Sequence, residues 1–208
     1  MTIAVYPMNQ RRIGLTGGIA TGKTTVSGYL EQTYQLPVLD ADRYARQGVD
    51  PGSAALEAIV QRYGAEILLP GGDLDRSRLG QIIFADGTER RWLEALIHPW
   101  VQQCFQRDLA ERGEPIVVLA IPLLFETGYH LTPWVTETWV VSCSPQQQLD
   151  RLRARNGLSL LEAQARIEAQ LALSEKCKLA DVVLDNRGSL EDLYAQVDRA
   201  LSGVPQNY

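Results

Sequence analysis

The run IGLTGGIATGKTT, residues 13–25, constrains the fold more than any other part of the chain. A short aliphatic segment leads into a glycine-rich turn, and Gly17, four further residues, Gly22, Lys23 and Thr24 match the phosphate-loop pattern. Such a loop works only between a strand and a helix. The backbone amides of Gly18, Ile19, Ala20, Thr21 and Gly22, with those of Lys23, Thr24 and Thr25 at the helix N-terminus, then converge on an anion. Lys23 is placed to neutralise the distal phosphates of such a ligand, and the Thr24 hydroxyl to coordinate Mg2+. The helix is expected to run to about Tyr34. A chance match is a poor account of the motif, because Lys23 is one of only three lysines, with Lys176 and Lys178, against 17 arginines.

A strand feeding a phosphate loop belongs to a parallel sheet, and four more runs supply it: residues 37–40, 116–121, 138–143 and 181–185. With residues 13–16 they are aliphatic with little polar alternation, as strands covered on both faces must be. Helical patterns lie between them, which gives an α/β chain. Ser144, Pro145 and Gln147 form a capped helix start, and SLLE at 159–162 is a second capping box. About seventy residues between the second and third runs hold no convincing strand. Crossovers need only about a dozen residues, so this excess predicts a helical insertion. The expected organisation is a nucleotide-binding core of residues 11–44 and 113–208, with a helical domain at 45–112. Within that domain Leu93, Leu96, Ile97, Trp100, Val101, Cys104 and Phe105 recur at helical spacing and predict a buried face, with Pro99 kinking the helix.

Composition narrows the partners. A net charge of -5 argues against a broad nucleic-acid footprint, which needs excess Lys and Arg. The longest apolar run, residues 115–125, is interrupted by Pro122 and too short to cross a bilayer as a helix, which takes about 20 residues. Cys104, Cys143 and Cys177 are dispersed, so neither a disulfide framework nor a zinc site is expected, and a reducing cytoplasm fits. Residues 1–10 and 203–208 read as loose tails. Monomer and small homo-oligomer are both compatible with the sequence.

A phosphate loop serves GTPases, motors and small-molecule kinases alike. The guanine-reading NKxD pattern is absent, the lone DxxG match at 185–188 follows the last strand, and the third run ends in PLLFE without an aspartate directly after it. A small-molecule kinase remains, with an ATP-sensing module as the reading from another class. The second run ends in VLDAD, placing Asp40 and Asp42 at the carboxyl edge of the sheet, where ligands bind in doubly wound folds. Transfer to an alcohol needs a carboxylate to take the hydroxyl proton. Asp42 is read as that base, and Asp40 as a helix cap or an indirect Mg2+ contact; an extended backbone would turn both to one side.

The loop, LDADRYAR at 39–46, the pair His98 and Pro99, PLLFE at 122–126, QLDRLRAR at 148–155 and ADVVLDN at 180–186 together resemble the dephospho-CoA kinase family in order and spacing. The resemblance spans nearly the whole chain. It implies a five-stranded, three-layer core of nucleoside-monophosphate-kinase type, a helical acceptor domain for dephospho-CoA, and a lid at roughly 150–172. It implies ATP and dephospho-CoA as substrates and Mg2+ as cofactor, and supports Asp42 as base. It further implies that Arg151 and Arg155, one helical turn apart, face the transferring phosphoryl group, that Asn186 contacts ATP, and that Arg46 and His98 line the acceptor pocket. The segment SEKCKLAD at 174–181 is poorer in arginine than the family pattern, which leaves open which of its basic residues approaches the nucleotide.

Overall fold

The structure, a computed structural model, describes residues 10–203, so most of both expected tails lies outside the described residues. Gln10 corrects the first of them: it is buried, and its side-chain amide donates to the carbonyls of Arg112 and Glu114.

The chain forms two units, one made of residues up to Asp40 together with those from Arg112 onward, the other of Ala41–Glu111. The first is built on a five-stranded parallel sheet. Its strands are β1 (Arg11–Gly17), β2 (Val38–Asp40), β3 (Ile116–Ala120), β4 (Glu137–Ser142) and β5 (Val182–Asp185), in the order β2-β3-β1-β4-β5. The strand that feeds the phosphate loop is therefore central. Ile13, Leu15, Val118, Trp139, Val141 and Leu184 pack on one face with residues of α1 (Lys23–Tyr34) and α9 (Leu190–Leu201). Val117, Leu119 and Val140, which alternate with them, are also fully buried. Burial on both faces is why these strands are aliphatic throughout rather than alternating.

After β4 come α6 (Pro145–Asn156), α7 (Leu160–Glu168) and α8 (Leu173–Leu179). The capping boxes read from the sequence close α6 at Ser144 and Gln147 and α7 at Ser159 and Glu162, each satisfying backbone donors that a helix start leaves unpaired.

The second unit is helical: α2 (Ala41–Gln47), α3 (Ala54–Tyr63), α4 (Arg76–Ala85) and α5 (Gly87–Ala110). Its core gathers Val49, Leu56, Ile59, Ile67, Leu74, Leu79 and Leu93. Helix α5 continues through Pro99 as a single element. Its predicted face is buried at Leu93, Val101, Cys104 and Phe105 and partly buried at Leu96 and Ile97. Trp100 is the correction, at 39% exposed. Its indole packs against Gly48 and donates its N–H to the Tyr44 carbonyl at 3.0 Å, so an amphipathic ring sits at the rim of the face. Among the described residues no helix is long and apolar enough to cross a membrane.

Candidate active site

The site is built around the end of β1. Ala20 and Gly22 take positive φ of 60° and 107°, the left-handed conformations that turn consecutive amides of such a loop toward an anion. Glycine is required at position 22 for a second reason, since a Cβ there would lie 2.3 Å from the Asn186 side-chain nitrogen. Helix α1 starts at this point with no side-chain cap and no acidic residue in its first turn. Its orphan N–H groups and the positive end of its dipole are thus left for a ligand. Lys23 extends from the first position of the helix, its Nζ 3.9 Å from the Asp40 carboxylate, and Thr24 is exposed beside it.

Side chains from later elements grip this loop. The Asn186 side-chain amide donates to the Thr21 carbonyl at 2.8 Å, and the Asn186 backbone carbonyl accepts from the Arg151 guanidinium at 3.1 Å. Next to it Arg187 pairs with Asp185 at 2.6 Å and holds that carboxyl below the usual range. Arg155, one turn beyond Arg151 on α6, is exposed and donates to the side chain of Asn156. Gln148 donates to the Ile19 carbonyl at 2.9 Å, and Gln170 accepts from the Ile19 N–H at 2.8 Å.

The basic residue of 174–181 that comes near the loop is Lys176. It is fully buried, paired with Glu126 at 2.8 Å, and reaches the carbonyls of Gly17 and Pro122 at 3.4 and 3.3 Å. A buried ammonium persists only when its charge and its N–H donors are met, and here they are met by a carboxylate and two carbonyls. The glutamate of PLLFE thereby fixes the root of the loop. Lys178, by contrast, is exposed and pairs with Glu175.

The remaining candidates lie in the helical unit. Strand β2 ends at Asp40 and α2 begins at once with Ala41, so Asp42 stands in the first turn of a helix, and the extended alternative, in which both carboxylates would project to one side, does not apply. Arg46 closes the last turn of α2, and its carbonyl accepts from Arg76. Half-buried His98 lies on α5. Helices α2 and α5 pack together through Tyr44, which meets Phe105 edge-on and donates its hydroxyl to Asp108. Burial and that carboxylate push the Tyr44 phenol well above its usual range. Asp42, Arg46 and His98 therefore ride on two neighbouring helices.

The family model for dephospho-CoA kinase matches residues 11–192. The chain belongs to the dephospho-CoA kinase family. It is similar to the curated dephospho-CoA kinase of Trichormus variabilis, 59% identical over 94% of this chain and 98% of that protein. Among solved structures, a Thermus thermophilus protein superposes with a TM-score of 0.78 at 35% identity, covering 95% of this chain and all of the other. A dephospho-CoA kinase from Campylobacter jejuni gives a TM-score of 0.66 at 26% identity, over 93% of this chain and 96% of its own. The P-loop kinase architecture expected from the sequence is thus the one observed.

Magnesium and ATP suit the donors that a dephospho-CoA kinase would use here. The left-handed turns at Ala20 and Gly22 and the uncapped start of α1 form a cradle for phosphate, and the Thr24 hydroxyl and Asp40 carboxylate are hard oxygen donors of the kind Mg2+ takes. Sequence reading missed Gln148, Gln170, Lys176 and Glu126 as supports of the loop. The rarity of lysine and the PLLFE motif were the available signals for the last two; a glutamine gives none before its partner is known.

Proposed function

We propose that the protein transfers the γ-phosphoryl group of ATP to the ribose 3'-hydroxyl of dephospho-CoA, completing coenzyme A. The observation that carries this reading is the family match across residues 11–192, which includes a phosphate loop built as a nucleotide cradle. The 3'-oxygen bonds to the γ-phosphorus, the bond from that phosphorus to its bridging oxygen breaks, and ADP departs. The hydroxyl proton passes to the Asp42 carboxylate. Asp40 lies beside Lys23 at 3.9 Å, on the phosphate side of the site, which suits a place in the magnesium shell. Lys23 and the amides of residues 18–25 hold the phosphates, except those of Ile19, Thr21 and Thr25, which donate to Gln170 and to the Gly18 and Gly22 carbonyls. Arg151 and Arg155 bring cationic charge from the lid at 150–172, and Arg46 and His98 help the helical unit hold the acceptor. Asn186 contributes to the nucleotide site by bracing Thr21.

Magnesium, held through Thr24 with Asp40 in its outer shell, would neutralise charge on the phosphoryl oxygens. The cysteines are free thiols, which suits a reducing cytoplasm.

The test offers purified protein ATP and Mg2+ with dephospho-CoA, cytidylate and gluconate in parallel, and follows products by mass. A gain of one phosphoryl group on dephospho-CoA alone is expected. Phosphorylation of another acceptor instead would overturn the substrate, and ATP binding without any phosphorylated product would make the chain a sensor.

A further inference from the structure

Two glutamines hold opposite sides of one phosphate-loop residue. The Ile19 N–H donates to Gln170 Oε1 at 2.8 Å, and the Ile19 carbonyl accepts from Gln148 Nε2 at 2.9 Å. Gln148, the fourth residue of α6, is 5% exposed, and its amide packs so closely that a Cβ on Gly18 would lie 2.6 Å from it. Gln170 sits two residues beyond the end of α7. Most of the expected lid segment, with Arg151 and Arg155 on it, lies between the two glutamines. The second root is tied down again one residue later, where the Leu171 N–H donates to Glu126, the partner of Lys176.

We propose that Gln148 and Gln170 are positioning residues that lock both roots of the lid to the phosphate loop through Ile19. They hold the lid arginines and the loop amides in one register during phosphoryl transfer. A primary amide suits both places because it carries a donor and an acceptor, and the two sites use opposite ends of it. Neither side chain need touch ATP. Nucleotide binding by Lys23 and the remaining amides survives their loss, whereas misplacement of charge-stabilising groups by even about 1 Å lowers transfer up to about 10²-fold. The proposal rests on the kinase reading above.

The experiment compares Gln148→Met, Gln170→Met, Gln148→Glu and Gln170→Glu. Measured are kcat at saturating ATP, KM for ATP, melting temperature, and tryptic cleavage after the exposed Arg153 and Arg155 with ATP bound. Each Met variant, similar in length but without the amide, is expected to lower kcat about tenfold with KM changed less than threefold, and to speed lid cleavage. Gln170→Glu keeps an acceptor for the Ile19 N–H and should recover kcat relative to Gln170→Met, any repulsion of ATP appearing in KM. Gln148→Glu sets an acceptor against the Ile19 carbonyl and should be no better than Gln148→Met.

This asymmetry separates positioning from packing, which does not depend on amide polarity. Met variants within twofold of wild type in kcat and cleavage, or Glu variants alike at the two positions, would overturn the proposal. If the Met variants do not fold, the two Glu variants decide it by the same asymmetry. A wild-type protein that transfers nothing to dephospho-CoA refutes the kinase reading instead, and lid cleavage still tests the clamp.

Discussion

Asparagine keeps the shape of aspartate and cannot accept a proton, so substitution at Asp42 and Asp40 separates chemistry from position. Asp42→Asn is expected to bind ATP and acceptor nearly normally and lose about 10² to 10⁴ in turnover, the usual cost of a missing general base. Asp40→Asn should retain more turnover and require more Mg2+, since a charge beside Lys23 is removed; turnover and acceptor dissociation constants at graded Mg2+ check both, and the reverse order transfers the role of base to Asp40. A second substitution tests the cradle. Gly22→Ala places a Cβ against the Asn186 amide at a φ of 107°, and non-glycine backbone strain of this kind costs on the order of 1 to 3 kcal/mol. ATP affinity should fall, and Gly22→Ala combined with Asn186→Ala should recover part of it, because the contact is relieved while the strain stays. Equilibrium ATP binding measures both. The loop glycines, Lys23 and Thr24 were legible in the sequence because their spacing is local. Lys176 was not, because burial of a lysine depends on Glu126, Gly17 and Pro122, which only the folded sheet brings to it.

At the level of elements, α6 carries two arginines with different surroundings. Arg151 is engaged with the Asn186 backbone carbonyl, whereas Arg155 lies exposed in the last turn of α6. Arg155→Ala should therefore lower kcat, by as much as about 10³, with an unchanged melting temperature, whereas Arg151→Ala should lower both. Turnover and thermal melts of the two variants decide it; equal behaviour in both assays would contradict the division. The strands and capping boxes could be read beforehand because aliphatic runs and serine caps encode structure within a few residues. The switch from β2 to α2 between Asp40 and Ala41 was legible only as one alternative, with Asp40 as a helix cap, since VLDAD fits a strand end or a helix start equally well. Trp100 was assigned to the core by spacing alone, and the close approach of Gly48, which lets its ring lie at the rim, is a tertiary contact.

At the scale of the whole molecule, part of the resistance to acid rests on one carboxylate of the helical unit. In the helical unit Arg62 and Tyr63 both hydrogen-bond Glu89, and Arg62 also lies 4.5 Å from the centre of the Trp92 ring. These bonds lower the Glu89 carboxyl from about 4.5 to about 2. The folded state thus binds fewer protons at this group than the unfolded chain does, so its stabilisation is complete above pH 4.5 and is lost as pH falls toward 2. Melting temperature measured across that window should fall less steeply for Glu89→Gln than for wild type; parallel curves would show that the pair does not govern acid stability. The central place of β1 acts on another timescale. Both of its partners, β3 and β4, are encoded after residue 115. During synthesis at about 5–20 residues per second, the strand bearing the phosphate loop waits roughly 6 to 25 seconds before β4 is complete. The nucleotide site begins in the first eighth of the chain, and its central strand gains its second neighbour only when about two thirds of the chain has been made.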